Sequence, residues 1–318
     1  MTKKVLVIGD IMLDKYIETE PIRISDEAPV MIVKITGDDY ILGGAGNTAA
    51  NLKAMGFDVI LQGIIGNDWV GDLIVDLIDQ KGIRNSITTI PDNDSTLKMR
   101  VLCKGKQLIR IDSEELVTEL NPTFINEGVD IIVISDYAKG VIGENTVKIL
   151  KEDYDVPIII NGKPKNIEYY VGVDVVIFNK KEADEVLNYL ENKYIQNPNY
   201  GDIAGFFAIG YIVVTKGGEG IEVYDSMGLR YTVDANEVEV RDITGAGDTV
   251  TAALAFEIIH SGDIEKAIKL ANYAGGIKVT KNKTAEVSLE ELLMNPDDEG
   301  RPSTEQQIDR FNSERIDG

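Results

Sequence analysis

Cysteine and histidine are almost missing from this 318-residue chain, which has one of each, Cys103 and His260. A lone thiol excludes an intrachain disulfide. A lone imidazole excludes a His-rich zinc site. Positive charge is scarce as well: 32 Lys and Arg face 54 Asp and Glu, a formal net charge of −22. A field of that sign repels nucleic acid and anionic membrane, so neither is expected as a partner and any phosphate site must be local. No apolar run reaches bilayer-spanning length. The first residues lead straight into an apolar strand at 5–8 without a signal-like segment, so the expected location is cytoplasmic. His260, late in an apolar helix and just ahead of Ser261-Gly262, reads as a helix C-terminal residue.

With 43% hydrophobic residues, the chain can bury one large core. Short β-branched runs at 5–8, 59–63, 131–135, 158–160, 173–178 and 212–215 alternate with helical patterns. Runs of that length without polar alternation are strands buried on both faces, which predicts an α/β sandwich around a mostly parallel sheet. Residues 15–40 and about 86–112 break the rhythm, alternating Thr, Val and Ile with charges as half-exposed strands do, and are expected to form a small β-sheet lid. Beyond Leu293 the run Asn295-Pro296-Asp297-Asp298-Glu299-Gly300 has almost nothing to bury. Residues 293–318 are expected to be a polar tail with one short helix near Glu305 to Phe311, and residues 1–292 the folded domain.

Three nucleotide motifs are absent. Gly162-Lys163 is followed by Pro164 and so makes no P-loop. The first strand leads into no Gly-x-Gly-x-x-Gly, and the protein-kinase His-Arg-Asp and Asp-Phe-Gly pair is missing. In their place stands Arg241-Asp242-Ile243-Thr244-Gly245-Ala246-Gly247-Asp248-Thr249, a glycine turn running into an apolar helix. Bare backbone at Gly245, Ala246 and Gly247 lets successive N–H groups face an anion, reinforced by the helix start. Asp248 beside a bound phosphate can take the proton of an incoming hydroxyl; otherwise the segment is only a tight turn with a helix-start acid. A second cluster, Leu42-Gly43-Gly44-Ala45-Gly46-Asn47-Thr48, also opens a helix, and Asn47 offers an amide suited to sugar hydroxyls.

These paired segments resemble the signatures of the ribokinase-like sugar kinases, the PfkB family, and the likeness runs along most of residues 1–292. Gly9-Asp10-Ile11-Met12-Leu13-Asp14, Arg23-Ile24-Ser25-Asp26-Glu27-Ala28-Pro29-Val30, Gln107-Leu108-Ile109-Arg110-Ile111-Asp112 and Ser135-Asp136-Tyr137-Ala138-Lys139-Gly140 resemble its heptose 7-phosphate kinase branch. The resemblance implies a ribokinase-like three-layer fold and ATP with magnesium as the phosphoryl donor. It implies transfer to the anomeric hydroxyl of D-glycero-D-manno-heptose 7-phosphate, with other sugars such as ribose, fructose or a ketodeoxy acid as rivals. A catalytically weak sugar-binding or scaffold homologue is the rival from another class. The resemblance further implies a homodimer paired through the lid. Bifunctional members of the branch continue into a cytidylyltransferase-like domain; the polar tail here is a vestigial or truncated junction or, as the favoured expectation, a free end.

Residue by residue, the resemblance makes Asp248 the general base and the turn at Gly245, Ala246 and Gly247 the anion hole. Asp14, Gly43, Gly44 and Asn47 fall on the sugar side. Lys98 and Arg100, two apart and hence on one strand face, join Arg110 as candidate phosphate ligands, against the ordinary reading of a solvated lid face. Asn179 and Glu182 match an Asn-x-x-Glu motif that orders magnesium through water, although the spacing also suits a capping box. Thr215, Lys216 and Gly217 end a strand where nucleotides gather. Asn272 matches a position beside adenine, or else satisfies a backbone group. Asp242 and Thr244 mark a monovalent-cation site for potassium, or an Asx-type turn. In one departure, Asn161 stands where the heptose kinases carry an acid, which leaves that acid's role open. In another, Thr280-Lys281-Asn282-Lys283-Thr284 replaces a more glycine-rich pattern.

Overall fold

The computed structural model describes residues 2–126 and 128–294. The polar tail from 295 onward and its expected short helix lie outside the described residues.

A nine-stranded sheet runs, edge to edge, Gly228–Val233, Ile221–Asp225, Tyr211–Thr215, Val175–Asn179, Ile158–Asn161, Ile131–Ser135, Lys4–Gly9, Asp58–Gln62 and Arg84–Asn85. The seven strands from Tyr211–Thr215 to Arg84–Asn85 are parallel, with Val5 level with Ile131 and with Val59. The first two form an antiparallel hairpin at the edge. This hairpin and the two-residue strand Arg84–Asn85 are absent from the sequence reading. Their short segments mix Glu, Tyr, Arg and Asn with apolar residues and carry no continuous buried run.

The apolar strands are explained by cover on both faces. Side chains of a strand alternate, so Val5 and Val7 join one core with helices Ala45–Ala54, Trp69–Gln80, Ala246–Ser261 and Ile264–Val279, while Leu6 and Ile8 join the other with Glu144–Asp153, Lys180–Lys193 and Tyr200–Phe206. Val133 and Ile134 divide in the same way. Each such side chain contributes about 1.5–3 kcal/mol on burial, and cutting the fully buried Ile134 to Ala would cost about 2–5 kcal/mol.

The helix Ala246–Ser261 is largely apolar and enclosed on every side through residues 248–257, which are all buried. It ends where Gly262 takes φ +67°. His260 sits in the last turn with its Nδ1 2.7 Å from the Phe256 carbonyl and its ring against Phe57 and Phe256.

A second sheet of four strands runs Met31–Gly44, Ile11–Ile24, Thr96–Cys103 and Lys106–Ser113. Its strand Ile11–Ile24 follows the central strand Lys4–Gly9 with only Asp10 between them. Residues 88–90, which the sequence reading grouped with the lid, instead pair in parallel with Ile64–Gly66. Alternation gives the four-stranded sheet two unlike faces. Asp14 lies opposite Lys98, Lys98 opposite Asp112 and Arg100 opposite Arg110; the intervening pairs are Met99 with Ile111 and Val101 with Ile109.

Candidate active site

Strands of a parallel sheet end in loops at one edge, and those loops carry the polar residues. After Lys4–Gly9 comes Asp10, buried, whose carboxylate accepts the N–H groups of Tyr137 (2.6 Å) and Lys139 (3.2 Å) from the loop after Ile131–Ser135. Burial, with the Asp136 charge adding to it, pushes the Asp10 carboxyl up to about 6 against the pull of those N–H donors. Asp10 thereby fixes the loop bearing Tyr137.

Asp248 lies in the first turn of Ala246–Ser261 and is 2% exposed. Asn47 Nδ2 donates to one carboxylate oxygen at 2.7 Å. Tyr137 OH (2.8 Å), Thr48 Oγ1 (3.3 Å) and Asn161 Nδ2 (3.5 Å) donate to the other. Burial raises its pKa to about 6; the Asn47, Tyr137 and Thr48 hydrogen bonds work against that rise and the Asp14 charge adds to it. A carboxylate near 6 is ionised at neutral pH and still basic enough to accept a proton. The sequence reading left the role of residue 161 open. In the structure its amide is a donor to Asp248, whereas an acid there would set two carboxylates side by side.

Gly245 has φ +79°, and a Cβ on it would stand 2.7 Å from Asn47 Nδ2. Glycine is therefore required both for the left-handed turn and for the approach of Asn47 to Asp248. The N–H groups of Gly247 and Asp248, in the first helical turn, have no carbonyl of their own helix within reach. Gly247 is exposed, so this end of the turn is open to solution, whereas Asp248 is buried.

Above the turn stands the charged face of the small sheet. Arg100 donates to Asp14 Oδ1 at 2.6 Å, both residues being buried, and its guanidinium lies 5.3 Å from the centre of the Tyr16 ring. Arg100 thus pins Asp14, which also lies beside Gly43, where a Cβ would come 3.0 Å from Asp14 Oδ2. Arg110 is held at the rim by Asp112 at 2.7 Å, and Lys139 pairs with Glu114 at 2.6 Å. Among the described residues no carboxylate lies within ion-pair distance of Lys98. Its ammonium sits 5.4 Å from the centre of the Tyr137 ring, and burial lowers its pKa, with Arg110 and Lys139 adding to the fall.

The remaining sequence candidates make their contacts further out. Asn179 and Glu182 form a reciprocal capping box, each backbone N–H bonded to the other's side chain at 2.9 Å, and Glu182 also pairs with Lys163. Lys163 in turn lies 5.2 Å from the centre of the Tyr137 ring. Lys216 pairs with Glu222 at 2.5 Å beside Gly217, and Thr215 Oγ1 donates to the Phe178 carbonyl at 3.4 Å. Asn272 donates to the Asp234 carbonyl at 2.9 Å, as the backbone-satisfying alternative has it. Asp242 accepts the Thr244 N–H at 2.8 Å, the geometry of an Asx turn, and the Lys283 N–H at 2.9 Å.

Residues 2–292 match the pfkB family of carbohydrate kinases. This chain belongs to that family. It is 35% identical over 301 residues to the bifunctional protein HldE of Campylobacter jejuni, covering 91% of this chain and 64% of that protein. The chain therefore spans somewhat less than two thirds of the length of that relative. It is 34% identical to the D-beta-D-heptose 7-phosphate kinase of Bordetella bronchiseptica, over 91% of this chain and 95% of that one. Among solved structures, phosphofructokinase-2 of Escherichia coli superposes with a TM-score of 0.72 at 16% identity over 92% of this chain and 97% of that one. The ribokinase of Arabidopsis thaliana, complexed with ribose and ATP, superposes at 0.70 and 18% identity over 92% and 98%. The fold is ribokinase-like, and the chain is a carbohydrate kinase of the pfkB family.

Sequence reasoning brought Asp248, Asn47, Asp14 and the two glycine clusters forward but missed Tyr137, Thr48 and Asp10. Asp10 and Tyr137 lie inside segments that carried the family likeness, so the signal was present without a role attached. Nothing local marks Tyr137 as a partner of a residue 111 positions away.

Proposed function

We propose that this kinase transfers the γ-phosphoryl group of ATP to the anomeric hydroxyl of D-glycero-D-manno-heptose 7-phosphate, giving the 1,7-bisphosphate. The observation that carries the reading is the convergence on Tyr137 of Asp248, buried with a pKa of about 6, and Lys98, a half-buried cation with no carboxylate partner among the described residues. Asp248 takes the hydroxyl proton while Asn47 and Asp14 orient the sugar ring, a carboxylate and an amide together reading a polyol. The Gly247 and Asp248 amides face the transferring phosphoryl oxygens. Lys98, with Arg110 and Lys139 close by, supplies the positive field for the far phosphate of the sugar. Arg100 serves by fixing Asp14.

Among the described residues no group of three or more His, Cys, Asp or Glu side chains is placed to hold a metal ion. That donor set fits magnesium carried mainly by nucleotide phosphates and water, with Asn179 and Glu182 reached through water; when bound, the ion neutralises phosphate charge. Exposed Ile22, Ile24, Ile35, Ile109 and Ile111 on the small sheet suit a second copy of the chain, and we read the protein as a cytoplasmic homodimer through this lid.

The test is ADP release with ATP and a panel of heptose 7-phosphate, unphosphorylated heptose, ribose and fructose 6-phosphate. The phosphorylated heptose should show the highest kcat/KM, and Lys98→Met should remove that preference by raising KM. A higher kcat/KM on any other member of the panel ends the heptose reading.

A further inference from the structure

Lys278, in the last turn of Ile264–Val279, is 0% exposed. A lysine at a helix C-terminus ordinarily reaches the last carbonyls of its own helix from the solvent side. Lys278 instead points inward, and its ammonium donates to the main-chain carbonyl of Asp242 at 3.2 Å. Among the described residues no carboxylate lies within ion-pair distance of it. Its charged neighbours are Asp242 and Asp248 from the glycine turn, which attract it, and Lys281 just beyond its helix, which repels it. A withdrawn ammonium with so few partners is a poor use of an interior position, and an unbranched apolar side chain would be more stable there.

The contact falls on the strand of backbone that enters the Gly245, Ala246, Gly247 turn. The N–H groups of Arg241 and Asp242 both bond the Val279 carbonyl, at 2.7 and 3.2 Å. The Asp242 carboxylate takes the N–H groups of Thr244 and Lys283. Every donor and acceptor that Asp242 offers is therefore held, within its own turn, by the end of the Ile264–Val279 helix or by the loop that follows it, and Lys278 is the charged member of that clamp. We propose that Lys278 is a positioning residue for phosphoryl transfer: its ammonium serves as the resident cation that sets the carbonyl of Asp242 and so aims the amides of the glycine turn. Because this cation is part of the chain, turnover is independent of added monovalent cations.

The inference rests on the turn being the phosphoryl cradle, and not on which sugar is phosphorylated. The acceptor used in the test is whichever sugar the unmodified enzyme turns over, so failure of the heptose reading leaves it standing. Lys278→Met in the full chain should melt at or above the parent temperature while kcat falls about 10²- to 10³-fold, with KM for the sugar changed only about threefold. Ammonium or potassium chloride should recover about tenfold of that loss, whereas tetramethylammonium chloride at equal ionic strength should not, and none of the three should stimulate the parent. If Lys278→Met does not fold, Lys278→Gln, which keeps a donor but no charge, should fold and show the same salt-selective recovery. A parent-like kcat in whichever variant folds overturns the proposal. So does a loss of kcat that follows a lowered melting temperature and does not respond to small cations.

Discussion

The two glycine clusters each open a helix, and they differ both in backbone and in surroundings. Gly44 (φ +57°, ψ −131°) precedes Ala45–Ala54 and Gly245 (φ +79°, ψ +5°) precedes Ala246–Ser261, so each enters its helix from a glycine of positive φ, but only Gly245 is left-handed helical. At the early cluster residues 45–52 are all buried, and the Ala45 N–H is closed onto the Asp10 carbonyl at 2.9 Å. At the late cluster the Ala246 N–H is likewise bonded, to the Ile243 carbonyl at 3.2 Å, but Gly245 and Ala246 are half-buried and Gly247 is exposed. The early glycine is closed into the packing, whereas the late one leaves an exposed residue at the helix start. Solvent access to the helix start separates them, and Asn47 joins them by reaching from one helix start to Asp248 on the other.

Removing the acid tests the late cluster most severely. Asp248→Asn should lower kcat by about 10²- to 10⁴-fold while the protein still folds, since a neutral amide relieves a buried charge. Near-normal phosphorylation by this variant would remove Asp248 from the chemistry. The glycines should then fail in different ways. Gly44→Ala forces a Cβ to 2.3 Å from the Asp10 carbonyl and should appear chiefly as lost stability, about 1–3 kcal/mol or more, in a denaturant melt. Gly245→Ala, whose Cβ meets the Asn47 side chain, should lose about 10²-fold in kcat with a smaller stability change. Equal effects of the two on stability and turnover would erase the distinction.

The two arginines of the small sheet differ in the same sense, closed against open. Arg100→Met strands Asp14 in a buried position and should destabilise by about 3–5 kcal/mol, raising KM for the sugar as well. Arg110→Ala, at an exposed pair with Asp112, should cost less than about 1 kcal/mol. Urea titrations of both variants check the contrast. The smallest expected effect is that of Tyr137→Phe. The base must be ionised to act, so kcat/KM should rise with pH through about 6 and level off above it. The Tyr137 hydroxyl stabilises the charged form, so its loss should move that limb to higher pH and leave the high-pH plateau little changed. A limb that stays in place in a pH profile would mean that Tyr137 does not tune Asp248.

Much of the layered fold was legible because a strand covered on both faces has to be apolar throughout, as 131–135 and 158–160 are. The antiparallel edge hairpin was not legible, because its residues obey no single period. In the site, the glycines, Asp248 and Asn47 could be read from types and spacing, since bare backbone ahead of a helix has few other uses. Lys98 and Arg100 could be placed on one face by alternation, but not told apart. Only the paired strands decided that Arg100 is spent on Asp14 and that Lys98 has no such partner among the described residues.

Sequence alone determined the α/β layering, the family and the presence of an acid beside a glycine turn, because these depend on residue type and short-range period. Tertiary structure decided which carboxylate is buried, which helix start stays exposed and which lysine is drawn inside to the Asp242 carbonyl. Burial and the partners of a charge are set by segments about two hundred residues apart meeting at one sheet edge, as Asn47 and Asp248 do, and no local pattern encodes that meeting.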